Sequence, residues 1–320
     1  MLRKTLLVIP FCVAMAFPAA AETQITFGTN WLPQTEHCGF YQAQESGLYK
    51  AANLDVKIAP GGPDINVPLM VASGRYQLGM GSSFTTLNLL AEKIPGKTVA
   101  AFFQKDPQTI VVHSGQGVEK LQDLLKKPIM IARFSQQEFW QFLKAEHGFT
   151  DEQVQPYTYS AAPFLADEKA AQQGYITEDG FLLGAQMKQP PLSLLLADYG
   201  YQNYATTVFG HGDWIEKNRD AVAAFLKATA EGYRACIDGT AKDAKAAILA
   251  ANPDHSEGLY DYKLAQMQKL NMVTGDEGLP IGALSPKRVE SFFATMSKAG
   301  VYAADLPYRD AFDFTFVPAE

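Results

Sequence analysis

The densest grouping of side chains capable of recognition chemistry is Asn30-Trp31-Leu32-Pro33-Gln34-Thr35-Glu36-His37-Cys38-Gly39-Phe40-Tyr41. Aromatic faces beside an amide, a carboxylate and an imidazole are what a pocket for a planar, hydrogen-bonding ligand requires. The same residues also suit a core, with Trp31 and Phe40 as filling and Glu36 as a charge favoured at a helix start. Gly81-Ser82-Ser83 offers hydroxyls and backbone N–H groups, which either hold a carboxylate, sulfonate or polar ring atom or cap a helix. Arg133-Phe134-Ser135-Gln136 sets a stacking ring beside a cation, with a solvated arginine as the competing reading. In Gln173-Gly174-Tyr175-Ile176-Thr177-Glu178-Asp179-Gly180-Phe181, Tyr175 stands near two adjacent carboxylates. Glu178 and Asp179 either accept charge-assisted bonds from amino groups on a heterocycle or form a solvated turn.

Catalytic chemistry finds less support. Cys38 beside His37 is the one nucleophile and base candidate, but consecutive helical residues point about 100° apart, which works against direct pairing. The chain has no C-x-x-C, no H-E-x-x-H and no dense Cys/His cluster, so no metal, cofactor or catalytic residue is expected.

The elements that must position these residues alternate along the chain. Strands are expected over 24–30, 55–58, 78–80 and 98–103, with helices over 36–46, after an Asp64 cap, and over 83–92. A second series begins near Ile110, with strands at 129–132, 155–159 and 192–196 and helices at 137–146 and 163–172. From Trp214 onward helices follow one another. Val222, Phe225, Leu226, Thr229 and Tyr233 form an inward stripe, and Ser285-Pro286 opens the last long helix. The pattern predicts an α/β chain of two lobes, each with a mainly parallel sheet.

Residues 1–21 read as a secretory signal: Arg3 and Lys4, an apolar run from Leu6 to Phe17, then Pro18-Ala19-Ala20-Ala21. The run is shorter than the roughly 20 residues of a bilayer crossing, and Cys12 inside it lies away from a lipoprotein cleavage position. A soluble periplasmic product cleaved after Ala21 is expected. Its removal leaves 25 of 27 basic residues against 34 acidic ones, a net charge of −9. Nucleic acid is thereby disfavoured as a partner, because phosphate binding needs clustered Lys and Arg. A disulfide between Cys38 and Cys236 is allowed in that compartment but does not follow from spacing; free buried cysteines are the expectation.

Several of these strings taken together resemble one family. They are Asn30-Trp31-Leu32-Pro33 with Glu36-His37, Pro60-Gly61-Gly62-Pro63-Asp64, Ala72-Ser73-Gly74, Ala162-Pro163-Phe164-Leu165-Ala166-Asp167, Gln173-Gly174-Tyr175-Ile176-Thr177 and Ala197-Asp198-Tyr199-Gly200-Tyr201. They are similar to the ABC-importer substrate-binding proteins related to the pyrimidine synthase of fungal thiamine biosynthesis, with nitrate, sulfonate and taurine receptors as cousins. The resemblance implies a type II periplasmic-binding-protein fold, two α/β lobes joined by hinge strands with the C-terminal helices packed on lobe 1. It implies lobe 1 at 22–108 and 206–320, and lobe 2 at 109–205. The implied protein is a monomeric receptor that closes on a thiamine pyrimidine precursor-like ring and delivers it to an ABC permease and ATPase complex in the inner membrane. Trp31, Glu36, His37 and Tyr41 would then line one wall and Tyr175 and its acid the other. Two departures bear on the ligand. Asp179 stands where the family has glutamate, and Arg133, in place of a small residue, would suit a sulfonate, taurine-like or nitrate-like anion. A pyrimidine-synthase-like enzyme is a further alternative, but the fungal cysteine-rich motif has no counterpart near Tyr204-Ala205-Thr206-Thr207.

Overall fold

The computed structural model describes residues 22–275 and 278–316; the expected export signal at 1–21 lies outside them. Among the described residues, the first sheet gathers β1 (Thr23–Gly28), β2 (Leu54–Ala59), β3 (Leu78–Gly81) and β4 (Gly96–Phe103). The second holds β5 (Gln108–Val112), β6 (Ile129–Ile131), β7 (Val154–Pro156), β8 (Ala171–Tyr175) and β9 (Leu192–Leu195), and the chain then returns to the first as β10 (Ala205–His211). The spatial orders are β2-β1-β3-β10-β4 and β7-β6-β8-β5-β9. This is the two-lobed α/β architecture of periplasmic binding proteins, with no closed barrel.

The sheets are mixed, which corrects the expectation of mainly parallel ones, and the exceptions have a single cause. β1, β2 and β3 run parallel, as do β6, β7 and β8, so their C-terminal ends face the gap between the sheets. β5 and β10 each arrive from the opposite sheet and therefore run away from that gap. Accordingly β10 is antiparallel to β3 and β4, and β5 to β8 and β9. β5, inside its sheet, is buried along its whole length. β4, though the end strand of its own, is buried along nearly all of it because the C-terminal segment covers its outer side through the bridges of Thr98 with Phe312 and Ala101 with Gly282. β8 and β10 were not expected as strands, since β8 carries Gln172 and Gln173 in place of an apolar run and β10 holds only Val208 and Phe209 between threonines and Gly210. The third helix is capped by Asn66, whose Oδ1 accepts from Leu69 N at 2.9 Å, not by Asp64.

The helices explain the thickness of the first lobe. Helix Cys38–Glu45 crosses helix Arg219–Ile237 so closely that a Cβ on Gly232 would stand 2.1 Å from the Gly39 carbonyl oxygen. The stripe Val222, Phe225, Leu226, Thr229 and Tyr233 is buried against this crossing. That close approach sets the Cys38 and Cys236 Cα atoms 6.4 Å apart, and the two are disulfide-bonded across 198 residues, correcting the expectation of free thiols. Helix Pro286–Lys298 is opened by Ser285 and Pro286 as expected, Ser285 Oγ accepting from Arg288 N at 3.3 Å. It serves both lobes: Phe292 meets Phe84 of the first edge-on at 4.9 Å, and the helix lies along Phe139–His147 of the second. No described helix is long and apolar enough to cross a membrane.

Because the bridge closes so long a loop, replacing Cys38 and Cys236 with Ala together should lower unfolding free energy by about 2–4 kcal/mol. Reversible denaturant titration of residues 22–320 measures the loss, and thiol labelling of the same unreduced, unfolded protein should find no free cysteine.

Candidate functional site

The loops after β1 and β8 meet across the gap between the sheets, where ligand crevices of open α/β sheets lie. From the first comes the 3₁₀ turn Thr35–His37, which buries Glu36 and His37. Its position is fixed from behind: Asn252 Nδ2 donates to the Pro33 carbonyl at 2.8 Å, Tyr233 Oη to the Glu36 carbonyl at 2.7 Å, and Thr35 Oγ1 lies 2.8 Å from His255 Nε2. From the second comes the turn Thr177, Glu178 and Asp179. Thr177 Oγ1 donates across the crevice to Glu36 Oε1 at 2.6 Å.

Lys263 joins the two walls. It projects from helix Glu257–Lys269 with its side chain 1% exposed, and its ammonium stands 2.7 Å from Glu178 Oε2 and 3.1 Å from Glu36 Oε2. A further bond reaches Gln34 Oε1 at 3.2 Å. The approach to Glu36 Oε2 is an ion pair without hydrogen-bond geometry, so that oxygen has no hydrogen-bond partner. Burial opposes the charge on Lys263, but Glu36 and Glu178 outweigh it and raise its pKa.

Asp179 is buried beside this triad, accepting from Thr109 Oγ1 at 3.2 Å. Its place depends on Gly174, because a Cβ there would fall 2.1 Å from Asp179 Oδ2. Among the described residues no Lys, Arg or His reaches ion-pair distance of Asp179, and burial, then the neighbouring Glu178, pushes its pKa up to about 8. Glu138 behaves alike at the other end of the crevice. Burial raises it to about 8 against the Ser82 hydroxyl, which donates to Glu138 Oε1 at 3.1 Å between the lobes. Asp106 is raised by burial to about 6, while accepting from Gln108 N at 2.8 Å and Asn203 Nδ2 at 2.6 Å. Burial, then Lys263 and His255, lowers His37 to about 3, and neither of its ring nitrogens has a hydrogen-bond partner.

The structure thus brings together Trp31, Glu36, His37, Tyr175, Glu178 and Asp179, with Ser82 at the far end. It does not bring the others to this cluster. Tyr41 packs into the first-lobe core, because the helix it occupies turns that face inward, so it is not on the crevice wall as expected. Ser83 is committed to the crossover, its Oγ accepting from Tyr204 N at 2.9 Å. Asn30, Arg133 and Phe134 are exposed, and Ser135 is buried in a 3₁₀ turn beside them. Sequence reasoning missed Lys263, which sits far along the chain in a polar helix, and Asp106 and Glu138, each a single charged residue outside the polar and aromatic clusters that follow the expected strands. It also missed Tyr157 and Tyr159; Tyr159 meets Trp31 across the crevice at 5.6 Å between ring centroids. A groove of about 680 Å³ lies elsewhere, beside β6 and β7 among Lys126, Lys127 and Lys169, and contains none of these groups.

Residues 34–241 match the family model described as NMT1/THI5 like. Over 107 residues the chain is 29% identical to the Saccharomyces cerevisiae 4-amino-5-hydroxymethyl-2-methylpyrimidine phosphate synthase THI11, a stretch covering 33% of this chain and 32% of the yeast protein. The chain therefore spans about a third of the length of such relatives. In three dimensions it is similar to the periplasmic aliphatic sulphonate binding protein SsuA of Escherichia coli, with TM-score 0.68, 12% identity, and coverage of 93% of this chain and 94% of that one. The alkanesulfonate-binding SsuA of Xanthomonas axonopodis pv. citri, bound to MOPS, gives 0.66 at 14% identity, covering 92% and 99%. At these identities the likeness concerns the fold.

Two outcomes follow from the buried charges. Lys263→Met should leave Glu36 buried without a counter-ion and cost about 3–5 kcal/mol in a denaturant titration. The two sets of groups act on stability in opposite senses, and their balance changes at about pH 6.5, the ordinary histidine value. From about pH 4 to 8 folded Asp179 and Glu138 hold protons that the unfolded chain has released, so their contribution falls as pH rises. Below about pH 6.5 His37 and His255, held neutral in the fold, work against that slope and offset it, whereas above it the carboxyls act alone and stability falls as pH rises toward about 8. Melting curves of Asp179→Asn should show a smaller loss between pH 6.5 and 8.5 than the parent; an unchanged loss would remove Asp179 as the source.

Proposed function

The chain belongs to the NMT1/THI5-like family, and from that membership and the charge of the crevice we propose that it is the solute-binding component of an ABC importer. In this reading residues 1–21 are removed on export to the periplasm. Lobe 1 (22–108 and 206–320) and lobe 2 (109–205) close on the ligand, and the closed monomer docks on the permease and ATPase complex in the inner membrane without transforming its cargo. The ligand is a planar amino-bearing heterocycle of the thiamine pyrimidine-precursor kind, in keeping with the aminopyrimidine for which the yeast relative is named.

The observation that carries this ligand class is the carboxylate lining. Lys263 is the only buried lysine among the described residues, and Glu36 and Glu178 already hold it, whereas Asp179 lacks a cationic partner. Amino groups on a ring supply the donors such a wall lacks; a sulfonate would meet like charge. Trp31 and Tyr175 would flank the ring, with Glu36, His37, Glu178 and Asp179 reading its edge. Closure follows from contacts made only when both walls meet, such as Thr177 with Glu36, which shift the population toward the closed form. A second reading, a sulfonate, taurine-like or nitrate-like anion, draws on the fold shared with the sulfonate receptors and on Arg133.

Thermal-shift titration of residues 22–320 against an aminopyrimidine, taurine and nitrate separates the two. An aminopyrimidine at 100 times its Kd should add about 2.7 kcal/mol of stability, and Trp31→Ala should weaken it at least tenfold with the circular dichroism spectrum unchanged. A shift with taurine or nitrate alone replaces the amino ring by an anion.

A further inference from the structure

An amino-bearing ring can enter the crevice neutral or as a cation, and the walls treat the two differently. Tyr175 stands among Glu36, Asp106, Glu138 and Glu178, all near enough to oppose its ionisation after burial. Within this group Lys263 is shared between Glu36 and Glu178, leaving that trio one negative charge in excess. Asp179 adds another carboxyl, 7% exposed and without an ion pair among the described residues.

Above Asp179 lie aromatic faces that no expectation from sequence included. Tyr157 and Tyr159 follow β7, their ring centroids 5.4 Å apart, and Tyr159 reaches across to Trp31 at 5.6 Å. Burial, then Asp179 and Glu178, raises the Tyr157 phenol to about 12, so this ring neighbours the unpaired carboxyl. Tyr159 holds a left-handed backbone at φ +61, uncommon for a residue with a bulky side chain and maintained only where the surroundings fix it. Tyr159, 56% exposed, has the Trp31 ring on one side and the Tyr157 ring on the other. Aromatic faces attract positive charge through their quadrupole, and the Asp179 carboxyl below, which burial keeps protonated at neutral pH, supplies the counter-ion by releasing that proton as a cation enters; a neutral ring gains only the stacking.

Resting on the reading of this crevice as the ligand site, we propose that it selects an organic cation, with Trp31, Tyr157 and Tyr159 presenting their faces to the charge and Asp179 neutralising it. The ligand class is thus a positively charged nitrogen heterocycle or an alkylated ammonium, in preference to the uncharged ring of the same shape.

Isothermal titration calorimetry on residues 22–320 at pH 7.5 tests this with a matched pair, 4-aminopyrimidine and its N1-methylated cation, alongside choline and taurine. The cation should bind roughly tenfold or more tighter than its neutral parent. Tyr159→Leu and Asp179→Asn should each bring that ratio toward one, while Tyr159→Phe, which keeps the aromatic face, should preserve it. Melting curves of the three variants establish that each is folded. Equal affinity for the matched pair, or preference for the neutral member, overturns the cation proposal and leaves a receptor for neutral amino rings standing. Binding of taurine alone, or of none of the four, overturns both.

Discussion

A single buried ammonium holds the arrangement together. Lys263 comes from the helices that follow the second crossover, Glu36 from the first loop of the first sheet and Glu178 from the second sheet. Taking Lys263 and Glu36 out of water, with Glu178 still 35% exposed, costs several kcal/mol for each buried ion, and only dense compensation makes the result tolerable. The compensation is visible in Gln34 on the ammonium, Thr177 on Glu36, and Tyr233 on the backbone of the same turn. A buried ion pair contributes little net stability compared with an apolar replacement, but it tolerates no misregister. Its value here is geometric, since the triad is complete only when both walls stand at this separation.

A second charged group fastens the two connections between the lobes. The Arg288 guanidinium, in the first turn of helix Pro286–Lys298, donates to Gln104 O in one crossover and to Gln202 O and Asn203 O, at 3.0 and 2.8 Å, in the other. Its plane lies 4.1 Å over the Tyr204 ring. Asp106 ties the same two segments through Gln108 N and Asn203 Nδ2. Five donors in a fixed fork suit Arg to gripping several carbonyls at once. Both connections between the lobes are thus fastened to one helix, which itself packs against Phe84 and the Phe139–His147 helix.

How much of this the sequence disclosed follows from the range of the forces involved. Ser285-Pro286 and the Val222 to Tyr233 stripe were legible because capping and helical periodicity act within a few residues. Asn66 displaced Asp64 as a cap because loop geometry, not residue type, decided which side chain met Leu69 N. β8 and β10 escaped notice because their apolar signal is short or absent, Gln172 and Gln173 occupying the buried middle of β8. The disulfide needed the Gly39 and Gly232 crossing, a contact between segments nearly 200 residues apart. In the site, the aromatic loop after β1 and the paired acids after β8 were visible as local clusters. Lys263, Glu138 and Asp106 were not, since each is one ordinary charged residue whose role comes entirely from the fold.

The relation between fold and ligand then becomes a matter of charge. The chain shares its architecture with sulfonate receptors over more than nine-tenths of its length, yet architecture fixes only where loops converge, not the sign of what they present. Here the convergence point carries Glu36, Glu178 and Asp179 around one lysine, and that lysine lies within bonding distance of two of them. In a water-poor crevice such a balance acts strongly, because few solvent dipoles remain to screen it. Arg133, the residue whose type most suggested an anion, is exposed outside this enclosure, where its charge is solvated and weak. Lys263 apart, the charged side chains that burial has made electrostatically expensive at this convergence point are acids.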